Sequence, residues 1–502
     1  MAAQCKKQTL LLRHGLWHVY HIKNSFNKAI DLEKAREIIS TIISDMIFLI
    51  LAWYLFYYIR FELGLGSAPA SMGPYSLFIP AVVISIFWVA IFGVFGLYRH
   101  LYLISRFDEI IRVAKITIIG TLILFFLLFI DSLGWTSDNL HQAKWVTLTY
   151  WLVVFFCVST SRFILRTIQK HRALRGKGLH RAFIVGTGPA ALSVHENLNR
   201  HRTSGMNVVG FLRLNGVDPE QIRVEKEMVI GTVEEVKSLV LEHKVQEVIV
   251  ALEQDERDYL IMILDQIDIP DVSVKILPDF HQMITGLNQT NQIFGLPLID
   301  VMPDPMPTWE KFIKRLMDIA LSLIILIPAI PLMLIIVLLI RMTSSGPAVF
   351  RQKRVGKYDK PFTMYKFRTM FIDAEKESGP VWATDNDPRI TPVGYWLRKL
   401  RLDELPQFYN VLKGDMSLVG PRPERPYFVE QFKKKIPLYS RRLRVRPGIT
   451  GWAQVKWKYD ENLEDVMEKT KYDLFYVENI SLKMDFKILI NTIMTVLKGK
   501  GQ

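Results

Sequence analysis

The chain has 502 residues, more than one hydrophobic core usually organises, so we expect two or three domains. Half of the residues are hydrophobic and only 22% are charged, which excludes a disordered chain and is too apolar for a typical soluble enzyme. The net charge of +14 favours anionic partners such as phospholipid, nucleotide or polyprenyl phosphate, whereas no nucleic-acid partner is expected, because it would not require such apolarity.

Four apolar runs occupy the first third of the chain, and each is close to the length of about 20 residues that a helix needs to cross a bilayer. They predict four transmembrane helices, at 39–59, 76–97, 113–130 and 145–165. Lysine and arginine are concentrated before the first run, between the second and third, and after the fourth. By the positive-inside rule, both ends of this bundle face the cytoplasm. Asp45, inside the first run, is expected to be satisfied by a neighbouring helix.

From His180 the pattern changes to short apolar strands that alternate with amphipathic helices, the rhythm of a doubly wound α/β sheet. A glycine turn at 186–191 follows the first strand and is close to the dinucleotide-binding fingerprint. Where a ribose-binding acid is expected, at the end of the second strand, the chain has Arg213 and Asn215. The sequence therefore favours a Rossmann-like domain with a vestigial or regulatory role over active NAD binding, and Arg213 leaves a phosphorylated ligand open.

A fifth apolar run, 319–340, contains no charged residue and would extend about 33 Å as a straight helix. Both of its flanks are basic, so a full crossing would export a cationic domain. Pro328 and Pro331 lie at its middle, and each removes a helix hydrogen bond. We predict a broken, re-entrant helix over 317–341 that enters the inner leaflet, turns at the prolines and returns. The alternative is an ordinary proline-kinked span.

An acidic pair follows in a compact basic region. Asp403 and Glu404 come directly after the basic stretch 398–401, where a helix is expected to begin, so the helix N-terminus and the arginines together predict a phosphate site. An aspartate in such a site can attack phosphorus and form an acyl phosphate, while the adjacent carboxylate holds a metal ion. The alternative reading of Asp403 is a helix cap, with Pro406 in the first turn.

The same two carboxylates predict a Mg²⁺ site at Asp403 and Glu404. A carboxylate about 4 Å from one phosphate charge is repelled by roughly 4 kcal/mol at an effective dielectric constant of about 20, and arginines with a divalent cation reverse that sign. Oxygen ligands and a diphosphate favour Mg²⁺ over zinc, because the two cysteines, Cys5 and Cys157, lie far apart and no Cys/His cluster is present.

Further basic residues are predicted to bind substrate. Arg422, between two prolines, is predicted to present a rigid bidentate donor to a phosphate or a uracil edge, and its alternative is a surface turn. The stretch 446–451 predicts a loop that closes over a substrate. The remaining predicted contacts are Lys366, Arg368 and Arg446. The acids in turn-like contexts are expected to be structural: Asp385, Asp387 and Asp415.

The strings between Arg398 and Gln454, together with the proline-containing apolar run, resemble the bacterial sugar transferase family of monotopic phosphoglycosyl transferases. They include Leu402-Asp-Glu-Leu-Pro-Gln407, Val419-Gly-Pro-Arg-Pro423 and Arg446-Pro-Gly-Ile-Thr-Gly451. The bundle and the Rossmann-like domain resemble the large subfamily, which includes undecaprenyl-phosphate galactose and glucose phosphotransferases. One departure is Ile330-Pro331 with an extra Pro328, where the family often has Ser-Pro, and this puts in doubt how the break is hydrogen-bonded.

The resemblance implies the chemistry and the partners. Asp403 would attack the β-phosphate of a UDP-hexose, release UMP and hold a phosphosugar that undecaprenyl phosphate removes, which starts exopolysaccharide, capsule or O-antigen assembly. Glu404 would carry the Mg²⁺ role. The resemblance also implies a homodimer in the bacterial inner membrane, with the N-terminus and both later domains in the cytoplasm. The positions that match nucleotide contacts or hairpin anchors are Arg398, Arg422, Lys314, Arg315 and Asp318.

The predicted fold is a membrane α-helical bundle (1–175), an α/β Rossmann-like domain (176–304) and an α/β phosphoglycosyl transferase domain with the re-entrant hairpin (305–502). Two alternatives remain. A membrane-bound NAD-dependent dehydratase or epimerase needs a Tyr-x-x-x-Lys pair, but Tyr259, the one tyrosine between His180 and Asp300, is followed four residues later by Ile263. A non-enzymatic polysaccharide-export scaffold explains the bundle but not the arginine-rich site.

Overall fold

The computed structural model of the protein divides into two compact units, Met1–Asp258 with Asp271–Pro303, and Tyr259–Pro270 with Asp304–Gln502. The predicted three-part division is finer than this and stays a prediction. The residues that the structure describes are 35–62, 74–98, 106–129, 137–176, 179–200, 205–215, 223–253, 255–267, 272–278, 291–293, 296–301, 306–372, 374, 387–457 and 463–497.

The first unit contains four long apolar helices, as the sequence predicts. These helices bury only a minority of their residues against one another. Most of their exposed surface is apolar, which is typical of helices solvated by lipid. By length and composition each is able to cross a membrane. The helices are α1 (Ala35–Phe61), α2 (Pro74–Val94), α3 (Arg106–Leu124, continued by a π-helical turn Phe125–Phe129) and α4 (Ser137–Leu174).

Polar contacts join these helices inside an otherwise apolar bundle. Asp45 of α1 is fully buried and accepts a hydrogen bond of 2.6 Å from the Arg162 guanidinium of α4, so a neighbouring helix satisfies it as expected. The Trp88 indole of α2 donates to the Tyr150 hydroxyl of α4 at 2.8 Å. Gly120 lets α3 approach that indole, because a Cβ atom there would lie 2.4 Å from the Trp88 ring. These contacts fix which helix faces which.

A seven-stranded sheet forms the rest of the first unit, in the order β3-β2-β1-β4-β5-β7-β6. The first five strands pair in parallel, whereas β7 pairs antiparallel with both β5 and β6. The predicted alternation of strands and helices is confirmed, and β3, β6 and β7 are strands that the sequence pattern does not indicate. The elements are β1 (His180–Val185), α5 (Pro189–Arg200), β2 (Met206–Arg213), β3 (Val229–Thr232), α6 (Val236–His243), β4 (Glu247–Val250), β5 (Ser273–Ile276), β6 (Asn291–Ile293) and β7 (Leu296–Asp300).

The second unit is α/β and carries the fifth apolar helix. Two short sheets position its loops: β8 pairs antiparallel with β9, and β10 pairs parallel with β11. Its elements are α7 (Leu260–Gln266), α8 (Thr308–Thr343), β8 (Val349–Val355), β9 (Pro361–Phe367), α9 (Pro392–Lys399), α10 (Gln407–Lys413), β10 (Ser417–Val419), α11 (Pro426–Lys435), β11 (Gly448–Thr450), α12 (Trp452–Lys456), α13 (Leu463–Glu478) and α14 (Leu482–Leu497).

Helix α8 runs without interruption through Pro328 and Pro331, so a break at these prolines is not confirmed. Both of its arms pack against the α/β core of the second unit. On the N-terminal arm, Asp318 accepts a hydrogen bond from the Leu418 amide at 3.0 Å. On the C-terminal arm, Ile336 and Ile340 are buried in an apolar cluster. The side chains between the arms are largely exposed: Ile324, Ile327, Ile330, Leu334 and Ile335.

The C-terminal helix α14 has one buried and one exposed apolar face. Ile488 is fully buried in the core of the second unit, whereas Phe486 and Ile493 are more than half exposed. Asp485 in its first turn lies 2.5 Å from the Lys314 ammonium of α8. The helix therefore packs on one face, presents an apolar strip on the other and is tied to the base of the membrane helix.

Candidate active site

The acidic pair lies in a sharp turn between two helices. Helix α9 is capped at its start, where the Thr391 hydroxyl accepts a bond from the Gly394 amide. Gly394 is required because a Cβ atom there would lie 2.1 Å from the Thr369 carbonyl oxygen. After α9, Arg401 takes a left-handed conformation (φ +56°) that reverses the chain. Asp403 and Glu404 follow on a 3₁₀ turn.

This geometry corrects the expectation that a helix begins at Asp403. The α-helix begins four residues later, at Gln407, with Pro406 as its N-cap, and it is only seven residues long. Pro406 has no N–H group, so an α-helix that began at Asp403 would lack the hydrogen bond from this position. The residues before Pro406 form a 3₁₀ turn instead. Basic side chains, rather than the end of a helix, therefore supply the positive charge around the pair.

Two cations hold Glu404. Its Oε1 accepts from the Lys366 ammonium at 2.9 Å and from the Arg422 guanidinium at 3.1 Å. Burial opposes ionisation of this carboxyl, but Lys366 and Arg422 outweigh it and keep its pKa well below the usual range. Burial in turn lowers the pKa of Lys366. Glu404 is thus a fixed negative charge at neutral pH.

Asp403 differs from its neighbour. Its side chain is 8% exposed, and no hydrogen bond or ion pair reaches its carboxylate from the part of the chain that the structure describes. Burial raises its pKa, Lys366 opposes that rise, and the adjacent Glu404 charge adds to it. A carboxylate that is desolvated and not committed to a partner is suited to attack an electrophile once it is ionised.

The position of Lys366 depends on Asn410, which the sequence analysis missed. This fully buried side chain accepts from the Tyr365 amide at 3.1 Å and donates to the Thr363 carbonyl at 2.8 Å. It therefore joins α10 to β9 and places Lys366 of that strand beside the acidic pair. A single asparagine inside an amphipathic helix gives no recognisable signal in one sequence.

Arg398 completes the basic surroundings. Its Nε donates to the Thr369 hydroxyl at 2.9 Å, and its charge favours ionisation of both Asp403 and Asp387. Of the predicted substrate-binding residues, the structure thus brings Lys366, Arg398 and Arg422 to the acidic pair. Because Arg422 and Lys366 already bond Glu404, an incoming phosphate would meet an assembled cationic site rather than recruit it.

Arg368 and Arg446 lie elsewhere. The Arg368 guanidinium is buried and donates to the carbonyls of Ser344 and Ser345 at the end of α8. Arg446 lies near Arg315 and Asp318 at the base of α8, where burial and the Arg315 charge lower its pKa. The structure therefore does not bring either side chain to the acidic pair.

The predicted closing loop at 446–451 contains a short strand in the structure. Residues Gly448–Thr450 form β11, whose end residues are buried against β10. A Cβ atom at Gly448 would lie 2.1 Å from the Gly420 amide nitrogen, so the glycine serves close approach of two strands rather than motion. Within 446–451, the packing of Gly448–Thr450 against β10 does not support a loop that moves, and closure over a substrate stays a prediction.

The predicted anchors of the membrane helix meet the second unit at its base. Lys314 donates to the Val419 carbonyl at 3.1 Å, in addition to its contact with Asp485. Arg315 donates to the carbonyls of Val411 and Leu412, at the end of α10, at 2.7 and 2.8 Å. The α8 base is thereby connected directly to the helix that follows the acidic pair.

The acids that the sequence analysis considered structural behave so where they are described. Asp387 pairs with Arg389 at 2.5 Å, and Asp415 pairs with Lys413 at 2.9 Å. The pKa of Asp387 is lowered chiefly by its bonds from Arg389. Asp385 lies outside the described residues.

The side chains at the acidic pair fit Mg²⁺ that is shared with substrate phosphates better than a metal ion that is bound by protein ligands alone. No group of three or more His, Cys, Asp or Glu side chains able to hold a metal occurs in the described ranges. Mg²⁺ is usually bound by one or two carboxylates together with substrate phosphates and water. Lys366 and Arg422 both bond Oε1 of Glu404, and within the described residues no hydrogen bond reaches its Oε2, the oxygen that would be left for a metal ion.

The glycine turn of the first unit has a different arrangement. Gly186 adopts φ +113°, and a Cβ atom there would lie 2.2 Å from the Ala251 carbonyl oxygen. At the start of α5, the Ala190 amide donates to Oε1 of Glu253 at 2.8 Å. This is where a dinucleotide phosphate binds a helix N-terminus. A carboxylate of the chain itself takes that position.

A lipid-compatible helix joined to a buried carboxylate pair among basic side chains defines a membrane-bound enzyme that acts on phosphate groups. The sequence comparisons make this specific. Residues 309–499 match the family model described as bacterial sugar transferase, and residues 93–278 match one described as CoA-binding domain.

Relatives that are matched over most of their length agree with the family match. The UDP-glucose:undecaprenyl-phosphate glucose-1-phosphate transferase of Xanthomonas campestris pv. campestris is 34% identical over 68% of this chain and 71% of the relative. The enzyme of the same description from Escherichia coli (strain K12) is 32% identical over 73% and 80%. The chain belongs to the bacterial sugar transferase family.

One relative with higher identity is matched over a shorter range. The UDP-N-acetylgalactosamine-undecaprenyl-phosphate N-acetylgalactosaminephosphotransferase of Aeromonas hydrophila is 46% identical over 45% of this chain, and the chain spans about half of that relative's length, 53%. The relatives therefore differ in the sugar their names print. Neither the NAD-dependent enzyme nor the scaffold is favoured by these comparisons.

Proposed function

We propose that the protein transfers a hexose 1-phosphate from a UDP-sugar to undecaprenyl phosphate and thereby initiates the assembly of a bacterial surface polysaccharide. The observation that carries this proposal is that Asp403 is buried without a bonded partner among the described residues and lies next to Glu404. Lys366 and Arg422 form ion pairs with Glu404. The names of relatives that match most of the chain support the same donor and acceptor.

In the first step, a carboxylate oxygen of Asp403 attacks the β-phosphorus of the UDP-sugar. The bond from that phosphorus to the bridging oxygen breaks, UMP leaves with the electron pair, and a phosphosugar remains as an acyl phosphate on Asp403. Lys366, Arg398 and Arg422 offset the charge that builds up as anionic carboxylate and phosphate approach. The raised pKa of Asp403 reflects the desolvation that makes the ionised form a better nucleophile.

In the second step, a phosphate oxygen of undecaprenyl phosphate attacks the same phosphorus. The bond to the Asp403 oxygen breaks, which restores the carboxylate and gives undecaprenyl-diphosphate-hexose. Donor and acceptor both react at the Asp403 carboxylate, so they use the site in turn. Kinetics of the ping-pong type are expected.

Mg²⁺ would be held by Glu404 and Asp403 together with the diphosphate, and when bound it supplies charge neutralisation to the phosphate oxygens. Lys366 and Arg422 keep Glu404 ionised and therefore ready for a cation. Glu404→Gln is expected to raise the Mg²⁺ concentration needed for half-maximal turnover.

We further propose that α8 is a re-entrant hairpin rather than a span. From Arg315 to Ile336 is about 31 Å along a straight helix, yet both arms contact the α/β core of the second unit. A bend at Pro328 and Pro331 accounts for both contacts, and it leaves the exposed apolar middle in the lipid. The N-terminus, the sheet domain and the catalytic domain then all lie in the cytoplasm at the inner membrane.

Labelling of single cysteines tests this topology. In a Cys5→Ser, Cys157→Ser background, cysteines at Lys311 and Ser345 are expected to react with a membrane-impermeant maleimide only after the membrane is opened. Labelling of Ser345→Cys from the periplasmic side of intact cells would contradict the hairpin. A cysteine in the predicted first periplasmic loop, at Ser71, provides the positive control.

The central experiment traps the covalent intermediate. Purified enzyme with UDP-sugar and no lipid acceptor is quenched rapidly, and intact-mass spectrometry is expected to show one added phosphohexose that maps to Asp403. Asp403→Asn is expected to show no adduct and no UMP. A panel of UDP-hexoses and UDP-N-acetylhexosamines in the same assay identifies the sugar, while size measurement in detergent tests the expected homodimer. UMP release at the normal rate by Asp403→Asn would exclude Asp403 as the nucleophile.

A further inference from the structure

The segment that carries Arg422 is held almost entirely through its carbonyl groups. Pro421 and Pro423 have no N–H group, so this segment cannot be fixed by donating at those positions. Instead, four successive carbonyls accept from three different parts of the second unit. The bonds are Gly448 N to Pro421 O at 3.0 Å, Arg442 Nη2 to Arg422 O at 2.9 Å, Arg354 Nη1 to Pro423 O at 2.9 Å and Val355 N to Glu424 O at 3.0 Å.

Arg442 is the donor that acts on Arg422 itself. Its side chain is 3% exposed and its Nη2 lies 2.7 Å from Oδ2 of Asp473, which is 2% exposed. Its Nη1 donates to the Tyr439 hydroxyl at 2.5 Å. The orientation of this guanidinium is fixed because its Nη1 and Nη2 each donate a hydrogen bond, to Tyr439 and to the Arg422 carbonyl, while the Asp473 carboxylate places a counter-charge beside it.

Stability alone is a weak reason for this ion pair. Burying a charge pair removes both groups from water, and an apolar pair of the same volume often serves stability equally well. What an apolar pair cannot do is donate to the Arg422 carbonyl. Helix α13 reinforces the arrangement, because Lys469, one turn before Asp473, pairs with Glu424 at the end of the segment. Burial opposes ionisation of Glu424, yet Lys469, Arg442 and Arg354 lower its pKa to about 2.

We propose that Arg442, oriented by Asp473, is a positioning residue that acts through Arg422 and so sets the geometry of the acidic pair. The path is short: Asp473 fixes Arg442, Arg442 fixes the Arg422 main chain, and the Arg422 side chain meets Glu404 at 3.1 Å. This inference rests on the proposed role of Arg422 in phosphate transfer. It also gives a function to the main-chain carbonyls of the Val419–Pro423 string, which hold Arg422 in place.

A double-mutant cycle tests the path. UMP release is measured with purified full-length Arg442→Gln, Arg422→Gln and the double variant, each checked for monodispersity and thermal unfolding in detergent. Arg442→Gln is expected to lower kcat/KM about tenfold, and Arg422→Gln about a hundredfold. The double variant is expected to be no worse than Arg422→Gln, since the effect of Arg442 passes through that side chain. Independent, purely structural losses would multiply instead and would overturn the proposal.

Two further variants separate positioning from folding. Arg442→Lys keeps the positive charge beside Asp473 and one donor nitrogen but not the guanidinium fork, so it is expected to lose less than Arg442→Gln, about threefold. Arg441→Lys, one position earlier and paired with Glu478, is the matched control and is expected to retain normal activity. If Arg442→Gln does not fold, Asp473→Asn replaces it in the cycle with the same expectation.

The outcomes also distinguish this inference from the proposed function. Normal UMP release by Arg422→Gln would remove the role of Arg422 in the site, and with it the basis of the inference. An impaired Arg422→Gln beside a normal Arg442→Gln would leave the proposed function intact and overturn the positioning role alone.

Discussion

Two regions of this protein have features typical of phosphate-binding sites, and they differ in the side chains that surround those features. The glycine turn at 186–191 has the glycines and the helix start of a dinucleotide site, but Glu253 occupies the amide of Ala190. The acidic pair has no glycine-rich loop and no helix of useful length, yet Lys366, Arg398 and Arg422 converge on it. The comparison teaches that the side chains around a site, and not its backbone motif alone, decide where we expect phosphate chemistry in this protein.

The largest expected effect falls on the nucleophile. Asp403→Asn should lower UMP release by about 10³-fold or more, because an amide cannot form the acyl phosphate. Asp415→Asn, an acid that pairs with Lys413 near the end of the next helix, is the control and should leave the rate unchanged. The measurement is UMP formation in detergent. A fully active Asp403→Asn would show that the acidic pair is not the site of phosphate transfer, and the difference from the glycine turn would no longer hold.

The next effect concerns Glu404. Glu404→Gln removes the fixed charge that Lys366 and Arg422 hold, so turnover should fall about a hundredfold, with a higher requirement for Mg²⁺. Titration of Mg²⁺ at saturating UDP-sugar measures both. Glu430→Gln, an exposed acid on α11, should respond to Mg²⁺ like the unmodified enzyme. An unchanged metal dependence in Glu404→Gln would place the metal elsewhere.

A smaller effect tests the electrostatics through pH. Asp403 must be ionised to attack, and burial raises its pKa, so activity should fall as the pH drops through that raised value. Lys366 opposes the rise; Lys366→Met should therefore move the acid limb of the pH–kcat/KM profile to higher pH and cost about tenfold at the optimum. Lys353→Met, exposed on the neighbouring strand, should leave the limb in place. A limb that stays fixed in Lys366→Met would contradict the assignment.

The smallest effect is expected at the glycine turn. Glu253→Ala should alter UMP release by less than about twofold and should cost about 1 kcal/mol of stability, because it removes one helix cap. Equilibrium dialysis should detect no binding of NAD or coenzyme A to the unmodified protein. Tight binding of either compound would show that Glu253 moves aside for a ligand.

The sequence predicted most of what depends on periodicity and on local strings. The five apolar helices, the alternating sheet and the cluster of Lys366, Arg398 and Arg422 around Asp403 all follow from it. Contacts between distant segments did not follow. Asn410 and Arg442 act through main-chain carbonyls or amides of other segments, so their partners leave no trace in composition. The glycines at 448 and 451 look like hinges in one sequence and prove to be packing positions only when the neighbouring strand is seen.

The bond between Asp45 and Arg162 joins the first helix of the bundle to the last, across 117 positions of the chain. During synthesis, α1 emerges long before α4, so its carboxylate has no counter-charge while the intervening helices are made. Because an unpaired carboxylate in lipid is costly, we expect α1 to become stably inserted only after α4 has been made. On this expectation, a chain that lacks α4 would insert α1 less stably than the full chain.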